Sequence, residues 1–193
     1  MPSADKSCMA GRLLSSCRDF VFNSTKRTLW DQVMASTIHY GNTQELILSR
    51  GKALQLEQQG STDHEGTSSM FGQGCKIMQK WDPSLLRHPG RCFEAIFKGE
   101  SSEDAGGVYR EALDLMITEL SSNMLPVLVQ CPNGVAGIGE HRDTWLVSPA
   151  LHTAVHFKML RFLGQLMGIA LRTNLPVKLN LARVIWKKLV GEE

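Results

Sequence analysis

The stretch GESSEDAGGVYREALDLMITEL, residues 99–120, decides the fold because it holds a clear helix start and an unusual pair of glycines. From Val108 onward, apolar residues recur at helical spacing, which predicts an amphipathic helix ending near Leu120. Glycine costs about 1 kcal/mol more than alanine inside a helix. Gly106 and Gly107 therefore need a physical reason to stand where the first turn should be.

Two explanations of the glycine pair follow from the chemistry of helix starts. Asp104 can cap the free N–H groups, and a missing Cβ lets a neighbouring segment pack directly against the backbone. The alternative is an anion site, since helix N-termini attract phosphate. Glu100, Glu103 and Glu111 crowd the same turn and would repel an anion. Close packing is the favoured explanation, and it predicts that Gly107→Val costs a few kcal/mol through overpacking.

The composition is that of an ordinary globular domain. The chain has 193 residues, of which 42% are hydrophobic and 21% charged, and its formal charge is +2. So small a charge makes neither nucleic acid nor an anionic membrane an expected partner. No apolar run reaches the roughly 18 residues of a membrane span, and the N-terminus lacks a signal-peptide core. We therefore expect an intracellular, cytoplasmic protein.

The cysteines and histidines predict no catalytic or metal centre. The chain has five cysteines, an odd number with no C-x-x-C pair, which argues against a disulfide framework and a structural zinc site. His152 and His156 have the spacing of a zinc protease, but Thr153 stands where that chemistry needs glutamate. A cysteine hydrolase using Cys131 and His141 is a weaker alternative, because no base stands beside the thiol in the sequence.

Glycine-rich fragments likewise predict no cofactor. Residues 72–74 and 137–139 each read Gly-x-Gly, yet neither is followed by the Gly-Lys-Ser/Thr of a phosphate-binding loop. In the predicted helix over 152–172, Gly164 and Gly168 share one face, where we expect another element to approach closely.

Periodicity divides the chain into mostly helical elements joined by polar turns. A polar segment at 60–69 reads as a linker or loop and predicts a boundary between residues 66 and 67. Helices are predicted over 20–39, 44–58, 70–81, 108–120 and 152–172, with a last helix capped by Asn180, and strands over 93–98 and 127–129. Residues 131–143 are predicted to form a loop or hairpin.

Three ordered blocks carry a resemblance to a known family. FEAIFKGESSEDAGGVYREAL at 93–113 and HFKMLRFLGQLMGIALRTNLPVKLNLARVIWKKLVG at 156–191 resemble the HECT domain of E3 ubiquitin ligases. MFGQGCKIMQKWDPSLLR at 70–87, CPNG and HRDTWLVSPA are most similar to the large HERC-type members. The positions that match the family signature, with expected structural roles, are Gly99, Glu100, Asp104, Gly106, Gly107, Arg110, Glu111, Phe162, Gly164 and Gly168.

The resemblance implies an α+β, mainly α-helical fold: the large subdomain of a HECT N-terminal lobe with short strands or hairpins. Residues 67–193 would form a partial HECT domain, truncated before the subdomain that docks the conjugating enzyme and before the catalytic C-terminal lobe. Residues 1–66 would form an upstream helical extension and linker. Apolar surface would be exposed where the missing parts pack.

The family passes ubiquitin from a conjugating enzyme to a cysteine, as a thioester, and then to a substrate lysine. That cysteine lies in a Thr-Cys-Phe context, which none of the five cysteines here has. The resemblance therefore implies a scaffold portion that is inactive alone, with no catalytic residue, cofactor or metal. Its partners in the whole protein would be a ubiquitin-conjugating enzyme, ubiquitin and protein substrates. The alternative is a non-catalytic interaction scaffold that kept the HECT-like helices.

Overall fold

The computed structural model describes residues 16–100 and 106–192. The described residues form seven α-helices, four short strands and two 3-10 turns, which confirms the predicted α+β, mainly helical class. The helices are α1 (Asn23–Ser36), α2 (Arg50–Gln58), α3 (Met70–Met78), α4 (Gly107–Leu120), α5 (Pro132–Ala136), α6 (Ala154–Thr173) and α7 (Arg183–Leu189). The strands are β1 (Gln44–Leu48), β2 (Phe93–Phe97), β3 (Leu128–Gln130) and β4 (Trp145–Val147), and the 3-10 turns are Arg18–Phe20 and Leu85–Arg87.

A parallel pair of strands joins two distant parts of the sequence. β1 pairs with β2 from Gln44 opposite Phe93 to Leu48 opposite Phe97. The single helix predicted over 44–58 is therefore wrong in its first third, where Leu46 and Leu48 point inward and Ile47 outward with the period of a strand. The pairing also crosses the boundary predicted between residues 66 and 67.

Helices α3, α4 and α6 surround one apolar core. Phe71 of α3 meets Phe162 of α6 edge to face, with ring centres 5.0 Å apart. Phe93 of β2 lies 4.6 Å from the Tyr109 ring of α4. All four rings are almost completely buried. The first pair joins two helices, the second joins the sheet to α4, and both bury large aromatic surfaces.

Helix α3 approaches its neighbours most closely at two glycines. A Cβ on Gly72 would lie 2.7 Å from backbone atoms of Gly66, and one on Gly74 would lie 2.6 Å from Sδ of Met116. Real Cβ atoms do not occupy such positions, so each glycine permits a contact that alanine would block. The Gly-x-Gly at 72–74 is therefore a packing feature inside a helix.

The N-terminal end of α3 is buried, and carboxylates satisfy its free N–H groups. The Asp63 carboxylate accepts hydrogen bonds from the N–H groups of Thr67, Ser68 and Ser69 and, at 2.6 Å, from the Ser69 hydroxyl. The Ser69 oxygen in turn accepts from the N–H of Gly72 at 2.9 Å. The Asp63 bonds hold the 60–69 loop in shape, and the Ser69 bond to Gly72 caps the helix start.

Glu119, from the last turn of α4, completes this cap. Its two oxygens accept from the N–H groups of Met70 and Phe71 at 2.8 and 2.7 Å. The side chain is buried, and burial raises the pKa of its carboxyl to about 7, against the opposing effect of the two donors. The nearby Asp63 charge raises the pKa further.

A small antiparallel sheet adjoins this core. β3 pairs with β4, a strand that the sequence pattern did not predict, and the predicted loop at 131–143 contains the short helix α5. The last helix begins at Arg183, so the prediction that Asn180 caps it is wrong. Asn180 accepts a backbone bond from Trp145 at 2.7 Å, and its amide donates to Asp143.

Helix α1 is peripheral. None of its residues is buried, and its visible anchor is Arg172 of α6, which donates to the Met34 carbonyl and the Thr37 hydroxyl at 3.3 and 2.5 Å. Within the part of the chain that the structure describes, no helix is long and apolar enough to cross a membrane.

The buried Glu119 predicts a pH dependence of stability. Its pKa is raised from an ordinary 4.5 to about 7 in the folded chain, so its stabilising contribution is lost as pH rises through this interval. We expect the free energy of unfolding, relative to that of Glu119→Gln, to fall by on the order of 2–3 kcal/mol between about pH 5 and pH 8. Urea unfolding of both chains at each pH measures this difference in the free energy of unfolding.

Glu94→Gln is the matched control, because Glu94 is exposed on β2. It should leave the pH slope of the native chain unchanged. Parallel slopes for the native chain and Glu119→Gln would show that burial does not govern this carboxyl.

Candidate functional site at the glycine turn

The family-signature turn begins directly after β2. Gly99 has φ +87°, a left-handed conformation that glycine adopts without strain, and the N–H of Glu100 donates to the Phe97 carbonyl at 3.1 Å. Residues 101–105 lie outside the described residues, and with them the predicted cap Asp104. The chain then enters α4 through Gly106, which has φ +99°.

The structure corrects the explanation of the glycine pair. Among the described residues, a Cβ on Gly106 or Gly107 would meet no atom of another segment within 4 Å, so the close packing predicted there is wrong, and so is the large cost expected for Gly107→Val. Gly106 is required by its left-handed φ at the N-cap position. Gly164 and Gly168 of α6 also have no described neighbour within 4 Å of a Cβ, so the close approach expected at them does not occur within the described part of the chain.

Arg50, the first residue of α2, anchors the turn. Its Nε lies 3.3 Å from a carboxylate oxygen of Glu100, and its Nη2 lies 2.7 Å from one of Glu111. The guanidinium carbon also lies 3.8 Å from the centre of the Phe97 ring. One planar cation therefore holds the loop after β2, the first turns of α4 and the strand itself.

The remaining signature residues divide by burial. Phe162 is completely buried in the core, whereas the Arg110 side chain is exposed on the first turn of α4. The sequence pattern missed Arg50, because its partners lie fifty or more positions along the chain. The structural roles assigned to the signature positions remain predictions for mutagenesis.

Cys131, the candidate nucleophile of the hydrolase alternative, has hydrogen-bond partners in the backbone. The Cys131 thiol donates to the backbone oxygen of His141 at 3.1 Å and accepts from the N–H of Gly134 at 3.4 Å. A hydrogen bond with the Thr144 side chain is the main effect that lowers the pKa of this thiol. In the described ranges, no imidazole forms a hydrogen bond to the Cys131 sulfur, so the pairing that the hydrolase alternative requires is not made.

The other described cysteines are inert or exposed. Burial raises the pKa of the Cys75 and Cys92 thiols to about 11, which disfavours their thiolates, and Cys17 lies at the surface. Cys8 lies outside the described residues. Over residues 16–100 and 106–192, no group of three or more histidine, cysteine or acidic side chains has an arrangement that could hold a metal ion.

An apolar groove opens between the end of α6 and helix α7. Its volume is about 560 Å³, and its lining includes Met167, Leu171, Leu175 and Trp186. Leu171 is 60% exposed, and the Trp186 indole is fixed by a 3.0 Å bond to the Leu181 carbonyl. Exposed apolar surface of this kind is typical of an interaction site.

The two glycines of the turn predict opposite responses to one substitution. Gly106→Ala should lower the free energy of unfolding by about 1–2 kcal/mol, because alanine is strained at positive φ. Gly107→Ala should be neutral or stabilising by up to about 1 kcal/mol, since its Cβ enters open space. Thermal unfolding of the two variants and the native chain measures both changes in stability. A greater loss at Gly107 would restore the close-packing explanation.

Arg50→Ala should destabilise the chain by about 1 kcal/mol, through loss of two partly exposed ion pairs and of the contact with Phe97. Arg110→Ala is the matched control and should stay within about 0.5 kcal/mol of the native chain. Denaturant unfolding compares them. Equal effects would show that Arg50 is not an anchor.

Comparison with known proteins agrees with the predicted family. Residues 119–193 match the family described as HECT-domain (ubiquitin-transferase). The chain is 37% identical over 190 residues to human "E3 ubiquitin-protein ligase HERC2", and 36% to the mouse protein of that name; the alignments cover 98% of the chain and 4% of either relative. Human "Probable E3 ubiquitin-protein ligase HECTD4" is 28% identical over 93% of the chain and 5% of its own length.

The chain thus spans a small part of the curated relatives it matches. The matched family segment runs from the capping residue Glu119 through β3, β4 and α6 to the end of the chain, and the longer alignments include the glycine turn and β1. By these matches the chain belongs to the HECT-type family and is HERC-like.

Proposed function

We propose that this chain forms the scaffold portion of a HECT-type E3 ubiquitin ligase, in the large subdomain of the N-terminal lobe. The observation that best supports this proposal is the 37% identity to human HERC2 over nearly the whole chain. The whole ligase would take ubiquitin from a conjugating enzyme through a cysteine thioester and pass it to substrate lysines. The Thr-Cys-Phe context of that cysteine does not occur here, so we expect this chain to form no thioester by itself.

The contacts of the signature turn support a structural role for its residues. The carboxylates of Glu100 and Glu111 both form ion pairs with Arg50, and Gly106 adopts the left-handed φ that the backbone needs at the start of α4. Phe162 fills the core. In this proposal the signature holds β2, α4 and α2 in a fixed arrangement on which the mobile parts of a ligase depend.

The groove of Leu171 and Trp186 would supply the contact with other parts of a HECT domain. Its lining is mostly apolar and includes Trp186 of α7, and Val184, Leu189 and Val190 in and directly after this helix are also exposed. Burying such a surface is a usual source of stabilisation between subdomains. We also propose that the HECT-like unit begins near residue 44, since β1 completes the sheet with β2.

A chimaera tests the proposal. The aligned segment of human HERC2 is replaced by this chain in a polypeptide that runs to the relative's C-terminus. Transfer from a ubiquitin-loaded conjugating enzyme is followed as a thiol-sensitive adduct. We expect the chimaera to form the adduct and the isolated chain to form none. Leu171→Asp in the chimaera should reduce adduct formation by about tenfold or more, because a charge would be buried in the apolar contact.

Leu54→Asp is the matched control, since Leu54 of α2 is similarly exposed, at 54%, but lies outside the groove. It should leave adduct formation unchanged. A folded chimaera that forms no adduct would favour the non-catalytic interaction scaffold. An adduct on the isolated chain that is lost in Cys131→Ser would overturn the scaffold role.

A further inference from the structure

Three of the histidines meet where the 60–69 loop contacts the start of α6. His64 comes from the loop, His152 precedes the helix and His156 lies in its first turn. The ring centre of His156 lies 6.0 Å from that of His64 and 5.6 Å from that of His152. His156 is only 5% exposed, and its Nδ1 is buried without a hydrogen-bond partner.

The surroundings of His156 disfavour a positive charge. The ring sits at the positive end of the α6 dipole, where Thr153 caps the N–H of His156 at 3.2 Å. Burial is the main cause that lowers the pKa of His156, and the neighbouring His152 and His64 add to it. Glu65, on the same loop, is the one opposing charge among the groups that act on His156.

The contact that these rings occupy also closes the core. A Cβ on Gly66, two residues after His64, would lie 2.8 Å from Cε of Met159 and 3.9 Å from a methyl of Val155. The same loop carries Asp63, which holds the start of α3. Separation of the loop from α6 would therefore also disturb the hydrogen bonds that hold the start of α3.

We propose that His64, His152 and His156 form a proton-sensitive latch between the 60–69 loop and the first turn of α6. Neutral imidazoles pack together and keep the loop closed. Protonation places like charges about 6 Å apart at the positive end of a helix, and the loop opens. Because the pKa of His156 is lowered, the contribution of the closed latch is present near neutral pH and is lost as pH falls.

Hydrogen exchange of the 193-residue chain tests the latch. Exchange rates of amides in 61–69 and 154–159 are measured at about pH 7.5 and pH 5.5, each corrected for the intrinsic effect of pH. We expect opening of both segments to rise roughly three- to tenfold at the lower pH. The double variant His64→Gln and His152→Gln, which changes two exposed side chains, should reduce this rise and leave only the part that burial of His156 produces.

His141→Asn is the control: His141 is exposed, lies outside the three-histidine cluster, and has φ 55°, which asparagine tolerates. This variant should show the same rise as the native chain. His64→Gln alone should show an intermediate rise, which keeps the test decisive if the double variant folds poorly. An unchanged rise in the double variant, or a loss of the rise in His141→Asn, would overturn the latch.

Discussion

The structure depends on a helix that starts inside the protein. The first N–H groups of α3 cannot reach water, so protein oxygens must accept them. Glu119, at the far end of α4, and the Ser69 hydroxyl supply those oxygens, and Asp63 on the preceding loop holds Ser69 in place. This requirement fixes the loop against the helix and α4 beside it. Gly72 then lets the Gly66 backbone lie where a side chain would otherwise stand.

The signature turn is a second consequence of the same arrangement. With the C-terminal end of α4 held by the α3 cap through Glu119, its N-terminal end is held by Arg50 through Glu111. Helix α4 is therefore held by an ion pair near its start and by the carboxyl group of Glu119 at its end, while its inner face packs on Phe93 and Met116 lies in the core. We expect a family signature placed at such a joint to be constrained by the structure.

The sequence predicted the long helices and β2 well, because α4 and α6 carry a full apolar face and β2 is bounded by turn residues. It did not predict β1, because these five residues directly precede a helix and are held as a strand by their pairing with β2. For a similar reason, close approach was predicted at the glycines of α4 and α6, whereas it occurs at Gly72 and Gly74 of α3. Close approach is a property of two segments, and a sequence pattern shows only one of them. Arg50 is a further case, since charge complementarity across many residues leaves no local signal.

The parallel pairing of β1 with β2 has a consequence for biosynthesis. A parallel pair cannot be closed by a tight turn, so β1 must wait until the chain has been made as far as Phe97. Closing so long a loop costs entropy before any contact repays it, which slows folding. During that wait the buried edge of β1 is exposed as a short apolar strand. Until then the pairing edge of β1 is open to association with other strands, which is the general hazard of an unpaired strand.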